Sequence, residues 1–307
     1  MLERPEICRK RVFLALMGIL HLLQSGRSAT LNTKKQLIPI LALAVSAIAL
    51  VFSQFRPLYT YFAHPKISVV LSNTIGIQQN WGYLSLSQYM QIKNSGTAEG
   101  EVTHIEYFIA GKDNANYKII LPAQTYYLKP TTFRTGDIVT QVPMGTTAVD
   151  QGTIWDSFVL FYRPFLKADQ AKVAQLSLDI RRDIDRQIST IGNGGGLKYV
   201  NDSLFTEIQK TVNSNLGKFD RGEYYLLAMF WTDENKRPAI IKCYSLSVFD
   251  TDILTLNMIT EGYHSGAGVY YPGPPSVGFN TPLIEVKDPS TITDLYESYL
   301  SSRQSSK

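Results

Sequence analysis

The residues able to do chemistry are few and scattered. Four histidines occur, His21, His64, His104 and His264, and no two stand within four positions of each other. Close spacing of that kind is how one helix face or one strand presents two imidazoles to a metal. The chain has no zinc signature, no Gly-x-Ser-x-Gly elbow, no Walker-type loop and no dinucleotide fingerprint, so no metal, cofactor or catalytic residue is predicted. His104, in His-Ile-Glu-Tyr, reads as a sheet-surface histidine rather than a ligand. The run Gly192-Asn193-Gly194-Gly195-Gly196 lacks the Lys-Ser/Thr of a phosphate cradle and reads as a loop.

Carboxylates give no clearer signal. Asp183 and Asp185 suggest a general acid and base pair. On a helix, however, i and i+2 point to different faces, and Arg181, Arg182 and Arg186 beside them favour a solvated charged face. Acids for polysaccharide hydrolysis would have to come from Asp150, Asp156, Glu223 or Asp233, and no spacing selects a pair. The two cysteines, Cys8 and Cys243, fall on opposite sides of an apolar membrane segment, which argues against a disulfide between them. Cys243 lies in an apolar run and reads as a small core residue. The segment with a binding reading is Tyr263 to Pro275. There Gly and Pro would hold Tyr263, His264, Tyr270 and Tyr271 as a low-entropy contact surface for a sugar or a protein, or fold the rings back over an open sheet face.

The elements that must position these groups begin at a membrane. Gln36 to Phe55 is twenty residues without a charge, and at about 1.5 Å per residue a helix of that length covers the roughly 30 Å hydrocarbon layer. The net charge of +4 is uneven. Residues 1 to 56 carry eight basic and two acidic side chains, hence +6, whereas the other 251 residues carry −2. Lys34 and Lys35 at the start of the span place the N-terminus in the cytoplasm and the bulk of the chain outside, as a single-pass protein of the cell membrane. With the basic excess confined to the anchor, nucleic acid loses its support as a partner. The shorter apolar run Val12 to Leu23 admits three readings: a cleaved signal, an interfacial helix, or sequence upstream of a start at Met17.

The predicted organisation is a basic cytoplasmic segment (1–35), a transmembrane helix (36–55), a stalk (56–65), an extracytoplasmic domain (66–302) and a tail (303–307). Strand patterns cover Ile67 to Leu71, Tyr83 to Lys93, Val102 to Ala110, Tyr117 to Leu121, Asp137 to Val142, Thr153 to Tyr162, Glu223 to Trp231 and Ala239 to Phe249. The predicted fold is mainly β, α+β overall: an antiparallel sandwich with two inserted helices between 168 and 217 and a C-terminal helix. The insertion carries one apolar stripe on Val173, Leu176, Ile180, Ile184 and Ile188, and another on Leu204, Ile208, Val212 and Leu216, capped by Asn201 or Asp202 and by Gly217. A short helix is expected over Thr251 to Glu261, closed by Gly262, and a last one over Ser290 to Ser302 with Thr291 and Asp294 at its start.

Trp81-Gly82-Tyr83-Leu84-Ser85-Leu86, followed by Met90, Ile92, Asn94, Gly96, Val102 and Ile105, resembles the strand-turn-strand pattern of immunoglobulin-like extracytoplasmic domains in uncharacterised bacterial single-pass membrane proteins. The resemblance implies a fold and no activity. Taken together, the expectation is a membrane-anchored binding or accessory protein with a protein partner in an envelope complex. An envelope enzyme acting on cell-wall polysaccharide and a structural spacer are the alternatives.

Overall fold

The computed structural model describes residues 64–114, 116–128, 140–191, 198–232, 237–271 and 278–305, together with Ser46. The anchor, most of the stalk, the run Val12 to Leu23, Gly192 to Gly196 and Asp233 therefore lie outside the described residues. Among the described residues no helix is long and apolar enough to cross a membrane. The chain divides into two compact units, Met1–Ala63 and His64–Lys307.

Among its described residues the second unit is mainly antiparallel β with four helices. The strands are β1 (Ile67–Leu71), β2 (Thr74–Asn80), β3 (Tyr83–Asn94), β4 (Gly100–Val102), β5 (His104–Gly111), β6 (Lys118–Tyr127), β7 (Gln141–Pro143), β8 (Thr147–Val149), β9 (Ile154–Tyr162), β10 (Gly222–Trp231), β11 (Ile240–Val248), β12 (Phe279–Pro282) and β13 (Ile284–Glu285). The helices are α1 (Lys167–Ile191), α2 (Asp202–Leu216), α3 (Asp250–His264) and α4 (Pro289–Ser305). Eleven strands share one sheet in the order β12-β2-β3-β9-β6-β5-β10-β11-β13, with β1 added to β3 and β7 to β6. β4 and β8 pair separately. The two ends of the order nearly meet, because β12 pairs with β2 while β13, one residue later, pairs with β11. Where a sandwich of two sheets is predicted, the hydrogen bonding is that of a single sheet curling towards closure.

Period-2 patterning accounts for the main strands. In β3 the side chains of Leu84, Leu86, Gln88, Met90, Ile92 and Asn94 are buried and the intervening ones are not, as one core-facing edge of a pleat requires. Gln88 belongs in that row because Tyr107 donates to its Oε1 at 2.5 Å and its Nε2 donates to the Ser72 carbonyl at 2.9 Å. β5 and β10 are buried on both faces along most of their length. Ile105, Tyr107 and Ile109 face the inner core, whereas Phe108, Ala110, Leu227 and Met229 join an outer cluster with Leu295 and Tyr299 of α4.

The helices follow their predicted stripes, with three corrections at their ends. α2 is capped as expected, Asn201 Oδ1 accepting from the Leu204 N–H at 2.9 Å and Gly217 adopting φ +67°. α3 does not stop at Gly262 but continues to His264. The glycine that ends it is Gly266, at φ +75°, whose N–H reaches the Tyr263 carbonyl at 3.0 Å. α4 is capped by Asp288, which accepts from the Thr291 N–H at 3.0 Å, rather than by Thr291 and Asp294. It also runs through Arg303, which the sequence pattern places in the tail. β2, with the polar sequence TIGIQQN, and the four-residue and two-residue strands β12 and β13 have no counterpart among the predicted strands, because short or polar strands carry no periodic signal.

Candidate functional site

Several ionisable side chains converge with an aromatic ring where α4 crosses the outer face of β5 and β10. Residues two apart on a strand share a face, so His104 and Glu106 both point outwards from β5. Trp231 on β10 stands opposite His104 in register. Residues four apart on a helix share a face, and Tyr299 and Arg303 of α4 supply the other side.

Glu106 is the hub, only 7% exposed. His104 Nε2 lies 2.7 Å from its Oε1, and the Tyr299 hydroxyl donates to its Oε2 at 2.5 Å. The Arg303 guanidinium lies 3.9 Å from Oε1 and is held over the rings of Trp231 and Tyr299, 5.9 Å from each centroid. Burial works to raise the Glu106 pKa. The hydrogen bonds from His104 and Tyr299 and the charges of His104 and Arg303 outweigh it and hold the carboxyl below its ordinary range. Burial, and then the bond to Glu106, push the Tyr299 hydroxyl well above its ordinary value. A carboxylate only accepts, so His104 donates through Nε2, on a side chain 42% exposed. The arrangement can orient an imidazole and fasten a helix to a sheet by charge. The signal for it is present in His-Ile-Glu-Tyr, where the i+2 spacing on a strand puts Glu106 beside His104. Arg303 carries no such signal, falling in the predicted tail.

The predicted binding residues do not form one surface. Tyr263 is a correction: it lies in α3, is 3% exposed, and stacks on Trp81 with centroids 4.3 Å apart and planes 17° apart. Its hydroxyl accepts from the Trp81 N–H at 3.2 Å, and burial raises its pKa. His264 is half-buried, stacked on Phe205 at 4.1 Å with Tyr199 at 5.1 Å. Tyr270 donates to Asp185 Oδ1 at 2.9 Å, and Tyr271 lies against the Tyr270 ring at 5.1 Å. These rings mostly fold back, onto the helices rather than over an open sheet face. Pro272 to Pro275 lie outside the described residues.

The paired carboxylates separate, as helix geometry requires. Asp185 meets Tyr270, whereas Asp183 is buried rather than solvated and accepts from the Asn201 N–H at 2.8 Å and from Gln187 Nε2 at 3.2 Å. Asp156 on β9 accepts from the Tyr89 hydroxyl, and Glu223 on β10 accepts from Ser247 Oγ at 2.5 Å. Their strands are not neighbours, and Asp150 is exposed in a turn. Cys243 is buried, and burial pushes its thiol up to about 11, which makes it a poor nucleophile. Among the described residues no group of three or more His, Cys, Asp or Glu is placed to hold a metal ion.

A second surface stands out on the other half of the sheet. Val70 on β1, Ile154 on β9 and Phe158 on β9 are 57%, 54% and 53% exposed. Phe158 lies 5.3 Å from the ring of Tyr89, its register partner on β3. No family model, no curated protein and no solved structure matches the chain.

Proposed function

We propose that this chain is a membrane-anchored binding or accessory protein of an envelope complex. In this reading Gln36 to Phe55 is the anchor and the unit from His64 onwards works outside the cytoplasm. The single observation that carries the binding half of the reading is that Val70, Ile154 and Phe158 are exposed on one face of the sheet, with Tyr89 beside Phe158. Antiparallel sheets that face water put polar residues outwards. Large apolar side chains exposed there, set around Gln91 and Asp156, mark a surface that a partner would cover. The anchoring half rests on the uncharged span and on the charge split of +6 and −2 across it. The immunoglobulin-like sandwich belongs to the same reading. The layering of two sheet halves over one core supports it, while the continuous strand order departs from a sandwich of separately paired sheets.

The test is a photo-crosslinking residue at position 158 of the full chain, activated in intact membranes. The expected product is a discrete adduct with a second polypeptide that disappears when Val70→Glu is added. No adduct at position 158, or an adduct indifferent to Val70→Glu, overturns the binding role of this face. Protease protection of the unit beyond residue 64 on the cytoplasmic side tests the topology separately.

A further inference from the structure

We propose that α4 is an acid-released strap: protonation of Glu106 unfastens the helix from the outer face of β5 and β10 and uncovers the apolar surface beneath it. The helix is the last of the described elements and follows the two-residue strand β13. Its apolar hold is small, since only Leu295 and Tyr299 among its side chains are buried, with Ile292 and Tyr296 partly so. The surface it covers is more extensive and includes Phe108, Leu227, Met229 and Cys243. Such a helix depends on its polar fastening more than one with a broad apolar stripe does.

That fastening passes through one carboxylate. His104 from β5 and Arg303 from α4 both approach Oε1 of Glu106, and Tyr299 from α4 donates to Oε2. The side chains opposite Glu106 in register are Pro122 on β6 and Met229 on β10, and the ring nearest His104 is that of Trp231; none of these carries a charge. Among the described groups facing the site, nothing replaces the anion when it is lost. A neutral Glu106 leaves the Arg303 guanidinium without the anion beside it, and the Tyr299 hydroxyl loses its charged acceptor.

The direction follows from linkage. His104, Tyr299 and Arg303 together hold the Glu106 carboxyl below its ordinary value; of these, Tyr299 and Arg303 leave with the helix while His104 stays on β5. The docked state is therefore favoured in full above the ordinary carboxyl range, and the advantage is lost as pH falls through the lowered value. The cap of the helix is not what lets go over that range. Hydrogen bonds from Ser290 and Thr291 hold the capping carboxyl of Asp288 down to about 2, so the cap remains ionised while the strap lets go.

The experiment is amide hydrogen exchange of the full chain at pH 7 and pH 3, corrected for intrinsic rates, followed in peptides from α4 and from β10. The expected result is an increase of about tenfold or more in α4 opening at pH 3, with β10 still protected. Glu106→Gln, which mimics the protonated acid, should open α4 at pH 7. It should also raise the maleimide labelling of Cys243 at pH 7 by a similar factor. Equal α4 protection at both pH values, simultaneous loss of α4 and β10, or unchanged Cys243 labelling in Glu106→Gln each overturns the strap. Should Glu106→Gln not fold, Tyr299→Phe serves instead. It keeps the carboxylate beside His104 and Arg303, so labelling at pH 7 should rise less and acid should still release the helix; labelling at the parent rate overturns the proposal equally.

Discussion

The sheet meets its helices at two joints of different kinds. At one, the β2–β3 turn is wedged between α2 and α3. Trp81 and Gly82 take positive φ angles of 53° and 83°, the pair a two-residue hairpin turn of this hand demands. Trp81 stacks on Tyr263, and its carbonyl accepts from Asn215 Nδ2 at 2.9 Å. Gln79 Nε2 reaches the Leu256 carbonyl at 3.1 Å, and the Gly82 N–H donates to Gln79 Oε1 at 2.6 Å. Every group in that contact is neutral. At the other joint α4 lies on β5 and β10 through Glu106, His104 and Arg303, all ionisable. The first joint is specified by shape and is indifferent to pH; the second is specified by charge and can be undone without disturbing the core. A non-glycine residue at positive φ carries about 1 kcal/mol or more of strain, and Trp81 sustains it because the Tyr263 ring and the Asn215 amide fix its place.

Gly82→Ala is the strongest way to break the shape-specified joint. A Cβ there would sit 2.1 Å from the Val212 carbonyl oxygen and 2.8 Å from Asn215 Cβ, at a φ that side chains disfavour. The backbone of α2 cannot yield cheaply, so urea unfolding should show a loss of about 3–4 kcal/mol. The loss should be the same at pH 7 and pH 4, since no ionisable group takes part. A loss under about 1 kcal/mol would mean that the turn is not wedged against α2.

Glu106→Gln sharpens the contrast with a smaller, pH-dependent effect. At pH 7 it should cost about 2 kcal/mol, the scale of hydrogen bonds to a buried charged group. Because the folded-state pKa is lowered, the parent's advantage exists above the ordinary carboxyl range and declines as pH falls through the lowered value. The two proteins should therefore converge in urea midpoint towards pH 3. A gap that stays constant with pH would assign Glu106 a packing role and erase the difference between the joints.

How much of each element is legible in the sequence follows from how that element is stabilised. β3, β10 and the stripes of α1 and α2 bury one face against a broad partner, and that leaves a period in the sequence. β12 and β13 exist because the sheet edges approach each other, a tertiary fact with no local trace. The end of α3 is ambiguous in sequence because Gly262 resembles a stop, while the residue that takes the left-handed conformation is Gly266. At the α4 site, His104 stands out by residue type, and Glu106, two residues on, does not. Metal and catalytic spacings link residues close in sequence, whereas this pair acts with a helix almost two hundred residues away.

Asp183 and Asp185 repeat the comparison on a single helix, with the smallest effects. Asp183 is buried and takes the Asn201 N–H, so it ties α1 to the entry of α2. Asp183→Ala leaves that backbone donor without its acceptor and should cost about 1–2 kcal/mol in urea unfolding. Asp185 holds only the exposed hydroxyl of Tyr270, whose pKa that bond raises. Tyr270→Phe should leave the urea midpoint unchanged, because a solvent-exposed pair exchanges its contact for water at little cost. If Tyr270→Phe proved as damaging as Asp183→Ala, the segment after α3 would be part of the helical joint rather than its covering. Burial of the carboxylate, not its place two residues along the helix, decides which of the two matters.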